Sequence, residues 1–273
     1  MPAASKTKLT RNVKCEWEVR VSDEQYAWDL IAPELAKLFL EPWGKPIVGL
    51  NRRQKVATLF AMRALRRMQA VRELFTKGYY WESHALVRVG YEDWLQLAYL
   101  LHKPGDQRCE DFRVAIHKHD ARVYDGFTAL CGQSAADRFF GEPPTNVSAF
   151  VGLPRSKTGP MSFTSMADDV GLRKVHDFAY TYLSGRSHPD GRMHDLFDDS
   201  KAVAVARIPE RDPAEEARLA LWFGWFTGRI VVLASHEFGI DRESFCNEYL
   251  LPIVALSGVN LETCVLVREY SGC

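Results

Sequence analysis

The stretch from Tyr79 to His102, YYWESHALVRVGYEDWLQLAYLLH, decides how the rest of the chain is read. Its length and apolar content fit a central helix. His84, Arg88, Glu92 and Gln96 recur every fourth residue, which stacks them along one side, while Leu86, Val89, Trp94, Leu95, Leu97 and Leu101 cover most of the rest. A mostly buried helix therefore carries one polar seam. A charge enclosed without a partner costs on the order of several kcal/mol, so Arg88 and Glu92 must bond each other, a neighbouring helix or a ligand.

Working outward, Asn51 is placed to cap the preceding helix, whose apolar stripe runs through Val56, Leu59, Phe60, Leu65, Met68, Val71 and Phe75 and stops at Gly78. Further back, Ser22 followed by Gln25 is a capping-box pattern that opens a helix through Phe39, ended by Pro42 and Gly44. After the central helix, Pro104 and Gly105 break the chain, and helical spacing resumes over Cys109 to Leu130. Gly141 to Pro160 reads as the one long loop, and its Lys157-Thr158 lacks the preceding glycine of a phosphate-binding loop. A short helix over Ser165 to Val170 stops at Gly171 before LRKVHDFAYTYLSGRSHP starts another. There Val175, Phe178, Ala179, Tyr182 and Leu183 form the core stripe, while His176, Tyr180 and Ser184 share another face. His188 falls at or just past that helix's C-terminal end, where the helix dipole favours a protonated imidazole.

Lys201 to Arg207 reads as a brief extended segment, and Asp212-Pro213 opens a helix running to about Gly239. Asp241 can cap a last long helix that Pro252 kinks or ends, and Asn260 to Tyr270 fits a short helix or a strand. The expected architecture is all-α: a flexible tail over residues 1–20, then a single helical-bundle domain over 21–273 with one long loop and at most a minor extended segment.

Composition narrows the function classes. With 273 residues, 47% hydrophobic and 12% aromatic, the chain has ample material for a core, and 35 basic against 35 acidic residues set up no global field for a polyanion or a membrane. Six cysteines without a CxxC pair fit neither a zinc site nor a disulfide scaffold, and read as reduced thiols of a cytoplasmic protein. The start, MPAASKTKLTRN, lacks the apolar run of a signal peptide. Leu219 to Ala234 is shorter than the roughly 20 residues that span a bilayer and contains Gly228 and Arg229, so it reads as a core helix and no membrane partner is expected. Asp190, His194, Asp195, Asp198 and Asp199 match no known cage spacing, so neither a metal nor another cofactor is assigned.

The helix over 52–77 is basic. Between Asn51 and Tyr80 there are eight positive residues against one negative, Glu73. Arg52, Arg53, Arg63, Arg66 and Arg67 are thus candidate binding residues for RNA or an acidic partner, since clustered arginines gain from counterion release on a polyanion. The plainer reading pairs them with acidic helices elsewhere in the fold.

Two stretches carry a resemblance: LVRVGYEDWLQLAYLL with Arg88 and Glu92, and SMADDVGLRKVHDFAYTYLSGRSHPD with Tyr180, Ser184 and His188. Together, across roughly residues 50 to 200, they resemble a bacterial helical family catalogued as a domain of unknown function, numbered five-six-seven-seven. Such proteins are similar in build to HEPN domains, many of which are metal-independent ribonucleases in toxin and phage-defence systems. The HEPN signature is an arginine four to six residues before a histidine. Arg113 and His119 satisfy that spacing, but Val114 stands where a polar residue is usual and the segment lies between the two family stretches.

The resemblance implies a metal-independent endoribonuclease of stress or phage defence. In it His188 acts as general base on a ribose 2′-hydroxyl, Arg88 holds the phosphate, Glu92 orients Arg88, and Ser184 or Tyr180 supplies a hydrogen bond. The alternative is a non-catalytic helical interaction or RNA-binding module, in which the same groups form a network that fixes the register of two helices. Either reading accommodates a homodimer.

Overall fold

The computed structural model describes residues 49–141, 162–187 and 213–240. Among these there are seven helices and no strand, so the described part is all-α. The helices are α1 (Arg52–Thr76), α2 (Tyr80–His102), α3 (Gln107–Cys131), α4 (Gln133–Phe140), α5 (Phe163–Asp169), α6 (Arg173–Ser187) and α7 (Pro213–His236). The N-terminal tail and first expected helix, the 141–160 loop beyond Gly141, His188, the 190–199 acidic stretch, the 201–207 segment and everything after Ile240 lie outside the described residues.

Local sequence rules account for the helix ends. Asn51 accepts a hydrogen bond from the Gln54 backbone N–H at 2.8 Å, and the Gln54 side chain accepts from the Asn51 N–H at 3.1 Å, a reciprocal cap that satisfies two orphan donors of α1. Gly78, with φ of 79°, turns the chain from α1 into α2 through the left-handed region that other residues avoid. Ser162 caps α5 by accepting from the Ser165 N–H at 3.1 Å.

The central helix of the sequence reading is central in the fold. α2 packs against α1, α3, α5, α6 and α7, while α4 packs on α3. Its apolar side meets α7 in an aromatic core in which Trp94 lies 5.2 Å from Trp225 and 5.8 Å from Phe226, ring centre to ring centre. Leu219–His236 is long and apolar enough to cross a membrane by composition, yet 89% of it is buried inside the bundle, so it serves as a core helix.

Gly90 permits the close crossing of α2 and α7. A β-carbon added there would come within 2.7 Å of Cε2 of Phe223, a side chain with no exposed surface. The ring has nowhere to go in a close-packed interior.

The charges of α1 are largely consumed by the fold. Arg53 donates to the Glu237 carboxylate at 2.9 and 2.5 Å, and to the carbonyls of Leu101 at 2.9 Å and Lys103 at 2.7 Å. One guanidinium fork thus joins the start of α1, the end of α2 and the chain just after α7. Arg67 and Arg63 converge on Asp93 of α2, whose side chain is 5% exposed. Burial pushes the Asp93 carboxyl above the ordinary carboxylate range, against the pull of the two arginines.

Gly90→Ala should destabilise the bundle by about 1–3 kcal/mol through overpacking, outweighing the roughly 1 kcal/mol that alanine gains in helix propensity. Chemical denaturation of Gly90→Ala, Phe223→Leu and the double variant checks this. The double variant should be more stable than the sum of the single losses predicts, because the leucine vacates the space the new methyl needs. Strict additivity would mean that the crossing is not set by this contact.

Candidate functional site

The site lies where α2 and α6 run side by side. Two cross-helix bonds set an antiparallel register: the Tyr91 hydroxyl meets His176 Nδ1 at 2.7 Å, and Arg88 Nη2 donates to the Tyr180 hydroxyl at 3.2 Å. Three residues back along α2 are matched by four forward along α6.

At the outer part of the seam, Arg88 Nε donates to Glu92 at 2.9 Å, and each of the two side chains is 18% exposed. The guanidinium carbon also stands 5.0 Å from the centre of the Tyr180 ring, so one aromatic side chain serves as both hydrogen-bond acceptor and cation–π face. Arg88, Glu92 and Tyr180, three of the residues singled out in the sequence, are therefore brought together. Ser184 lies one turn beyond Tyr180; its hydroxyl is enclosed and has no hydrogen-bond partner among the described residues. His188 lies outside the described residues.

Behind this pair sits a second set, in which His176 and Tyr91 are buried and Thr164 is half-buried. His176, 3% exposed, has both ring nitrogens engaged: Nδ1 with Tyr91 and Nε2 with Thr164 Oγ1 of α5 at 3.1 Å. A neutral imidazole has one donor and one acceptor nitrogen, and hydroxyls on both sides can complement either tautomer. The His176 ring stacks on Tyr180, with centres 5.0 Å apart at 29°, while the centre of the Tyr91 ring lies 6.0 Å away at 27°. Burial lowers the His176 pKa, opposed by Asp177 and reinforced by Arg173. Desolvation likewise pushes the Tyr91 phenol upward, so it remains protonated. The fourfold spacing of His176, Tyr180 and Ser184 was visible in the sequence. Tyr91 was not, because an aromatic residue on an apolar helix reads as core.

The five arginines of the basic helix have different environments. Arg53 and Arg67 are held by Glu237 and Asp93, Arg63 reaches Asp93 at 3.3 Å, Arg52 pairs with Glu110 of α3 at 2.5 Å, and Arg66 is exposed. Arg113 is bonded to Glu110 on the outer face of α3, and His119 is exposed further along that helix. Among the described residues no group of three or more His, Cys, Asp or Glu side chains is placed to hold a metal ion.

A family model described as a family of unknown function (DUF5677) matches residues 54–202, just over half of the chain, and the chain belongs to that family. No curated protein and no solved structure matches it. The matched segment contains both helices of the seam and ends before α7.

The lowered pKa of His176 fixes the sign of a pH effect. Above the ordinary imidazole value of 6.5 the residue is neutral in both folded and unfolded chains and contributes no slope. Below it the unfolded chain takes up a proton that the fold refuses, so stability falls as pH falls, by at most about 1.4 kcal/mol per unit for one proton. Denaturant melts between pH 7.5 and 5.5 should show this slope in the parent and a shallower one in His176→Phe. Equal slopes would place the uptake on other groups.

Proposed function

We propose that this family member is a metal-independent ribonuclease whose phosphate site is the α2–α6 seam. The observation that carries the reading is the state of Arg88. Its guanidinium is oriented by Glu92 and Tyr180, yet 18% of the side chain remains open to solvent. A pre-oriented arginine at a partly open seam suits a phosphodiester, since its planar fork matches two phosphate oxygens and its charge does not titrate. The resemblance to HEPN domains drawn from the sequence motifs supports the same reading, RNA cleavage in stress or phage defence.

In this mechanism Arg88 holds the scissile phosphate, Glu92 keeps the guanidinium in plane, and Tyr180 or Ser184 bonds the substrate. The Ser184 hydroxyl has no hydrogen-bond partner among the described residues. His188 continues the 180, 184, 188 spacing and acts as general base. It takes the proton from a ribose 2′-hydroxyl, whose oxygen attacks phosphorus. The bond to the 5′-oxygen breaks, that oxygen leaves with a proton taken from water, and a 2′,3′-cyclic phosphate remains. The exposed Arg52 and Arg66 would meet the RNA backbone outside the site.

One observation favours the non-catalytic reading, a helical interaction or RNA-binding module. Arg88, Glu92 and Tyr180 satisfy one another, as the members of a register-fixing network do.

Cleavage assays separate the two. The purified chain, incubated in EDTA with structured and unstructured RNA, should yield products ending in cyclic phosphate. Arg88→Ala and His188→Ala should each lower the rate by at least about a hundredfold, the usual scale for a lost acid–base or charge-stabilising group, while retaining cooperative melting. Parent protein that leaves RNA intact, or cleaves it without need of His188, would end the ribonuclease reading in favour of the interaction module.

A further inference from the structure

We propose that His176 is a positioning residue for the Arg88 site, fixing the Tyr180 ring and through it the guanidinium. Its functional consequence rests on the phosphate-site reading of Arg88; its geometry does not.

The argument starts from how firmly each ring is held. His176 is bonded at both nitrogens, by Tyr91 on α2 and by Thr164 on α5, so its ring cannot turn without breaking one of the two contacts. It is also 3% exposed, so a bond lost at Nδ1, inside the bundle, leaves a buried polar atom unsatisfied. Tyr180 lies flat against this fixed plane at 5.0 Å and 29°. The other face of the relation is Arg88, which uses Tyr180 twice, through the hydroxyl at 3.2 Å and through the ring at 5.0 Å. Glu92 cannot substitute for this support. It sits four residues from Arg88 on the same helix, so it fixes the guanidinium relative to α2 and not relative to α6.

Tyr91 extends the chain of support inward. Its hydroxyl holds His176, while its ring packs 5.4 Å from Phe226 of α7, so the anchor is itself part of the aromatic core. The orientation of Arg88 is thereby referred to three other helices, α5, α6 and α7. A substrate phosphate arriving at Arg88 meets a cation whose direction is already set, which is how a supporting residue with no ligand contact raises affinity.

The test reads Arg88 directly. In full-length protein labelled with nitrogen-15 arginine, the Arg88 Nε–H resonance is identified by its loss in Arg88→Lys. His176→Phe keeps a stacking ring and removes both hydrogen bonds. It should move the Arg88 resonance towards the position of a free arginine and speed its exchange with water. The Arg53 resonance, held by Glu237 elsewhere in the bundle, should not move, which separates the effect from general loosening. Affinity for a single-stranded RNA in EDTA should fall about tenfold in the same variant, the lower end of what outer supporting groups contribute. An unchanged Arg88 resonance overturns the proposal. Should His176→Phe fail to fold, Tyr91→Phe and Thr164→Ala each remove one anchor and must shift the same resonance in the same direction; no shift in either is equally decisive. If the parent protein does not bind RNA, the phosphate-site reading fails, and the resonance alone decides the positioning role.

Discussion

The structure depends on one constraint, that α2 is surrounded. Helices α1, α3, α5, α6 and α7 all pack against it, so every polar group it carries must be answered by a specific neighbour or pay the cost of burial. The answers are directional. Asp93 points to α1 and receives Arg67 and Arg63, Tyr91 points to α6 and meets His176, and Arg88 with Glu92 lies at the edge of the same α6 contact. Apolar packing alone would let α2 rotate or slide against its neighbours with little change in buried area. These bonds leave one rotation and one register that satisfy all of them at once.

That division marks what the sequence could disclose. Helix positions were legible because they follow from local rules: Asn51 and Gln54 announce α1, Gly78 ends it, and Asp212-Pro213 opens α7. The polar seam of α2 was legible from fourfold spacing. Its partners were not, since periodicity gives the face of a helix and says nothing of which helix lies across from it. Asp93 illustrates the gap. It falls one residue after Glu92 and so off the seam, yet it is the residue that pairs with two arginines of α1. The helix α4 was missed for a different reason: QSAADRFF buries only Ala136 and leaves Phe139 72% exposed, so it carries no core stripe to detect.

The site reading divides along the same line. Arg88, Glu92 and Tyr180 were chosen from sequence and stand together in the fold; His176, Thr164 and Tyr91 complete the cluster and could be recognised only once α5 and α6 were placed against α2. The outer trio carries the charges and is part open, whereas the inner trio is uncharged, with His176 and Tyr91 buried and Thr164 half-buried. Burial keeps His176 neutral and Tyr91 protonated, so no ionic cost is incurred beneath the arginine. A neutral support under a cationic group is the arrangement electrostatics favours, because a second cation there would repel Arg88 in a medium that screens poorly.

The matched family segment ends before α7, yet the seam is not independent of that helix. Tyr91, which holds His176 through its hydroxyl, has its ring against Phe226 and Trp94, and Trp94 is in turn packed on Trp225. Gly90, the residue just before Tyr91, is where α7 approaches most closely, with Phe223 filling the place of a side chain. The two faces of α2 are therefore addressed by consecutive residues: Gly90 admits α7, and Tyr91 passes the position of that core to α6. The bonds that set the register of the seam lie within residues 54–202, while the aromatic core behind Tyr91 is completed by Phe226 and Trp225, which come after that segment.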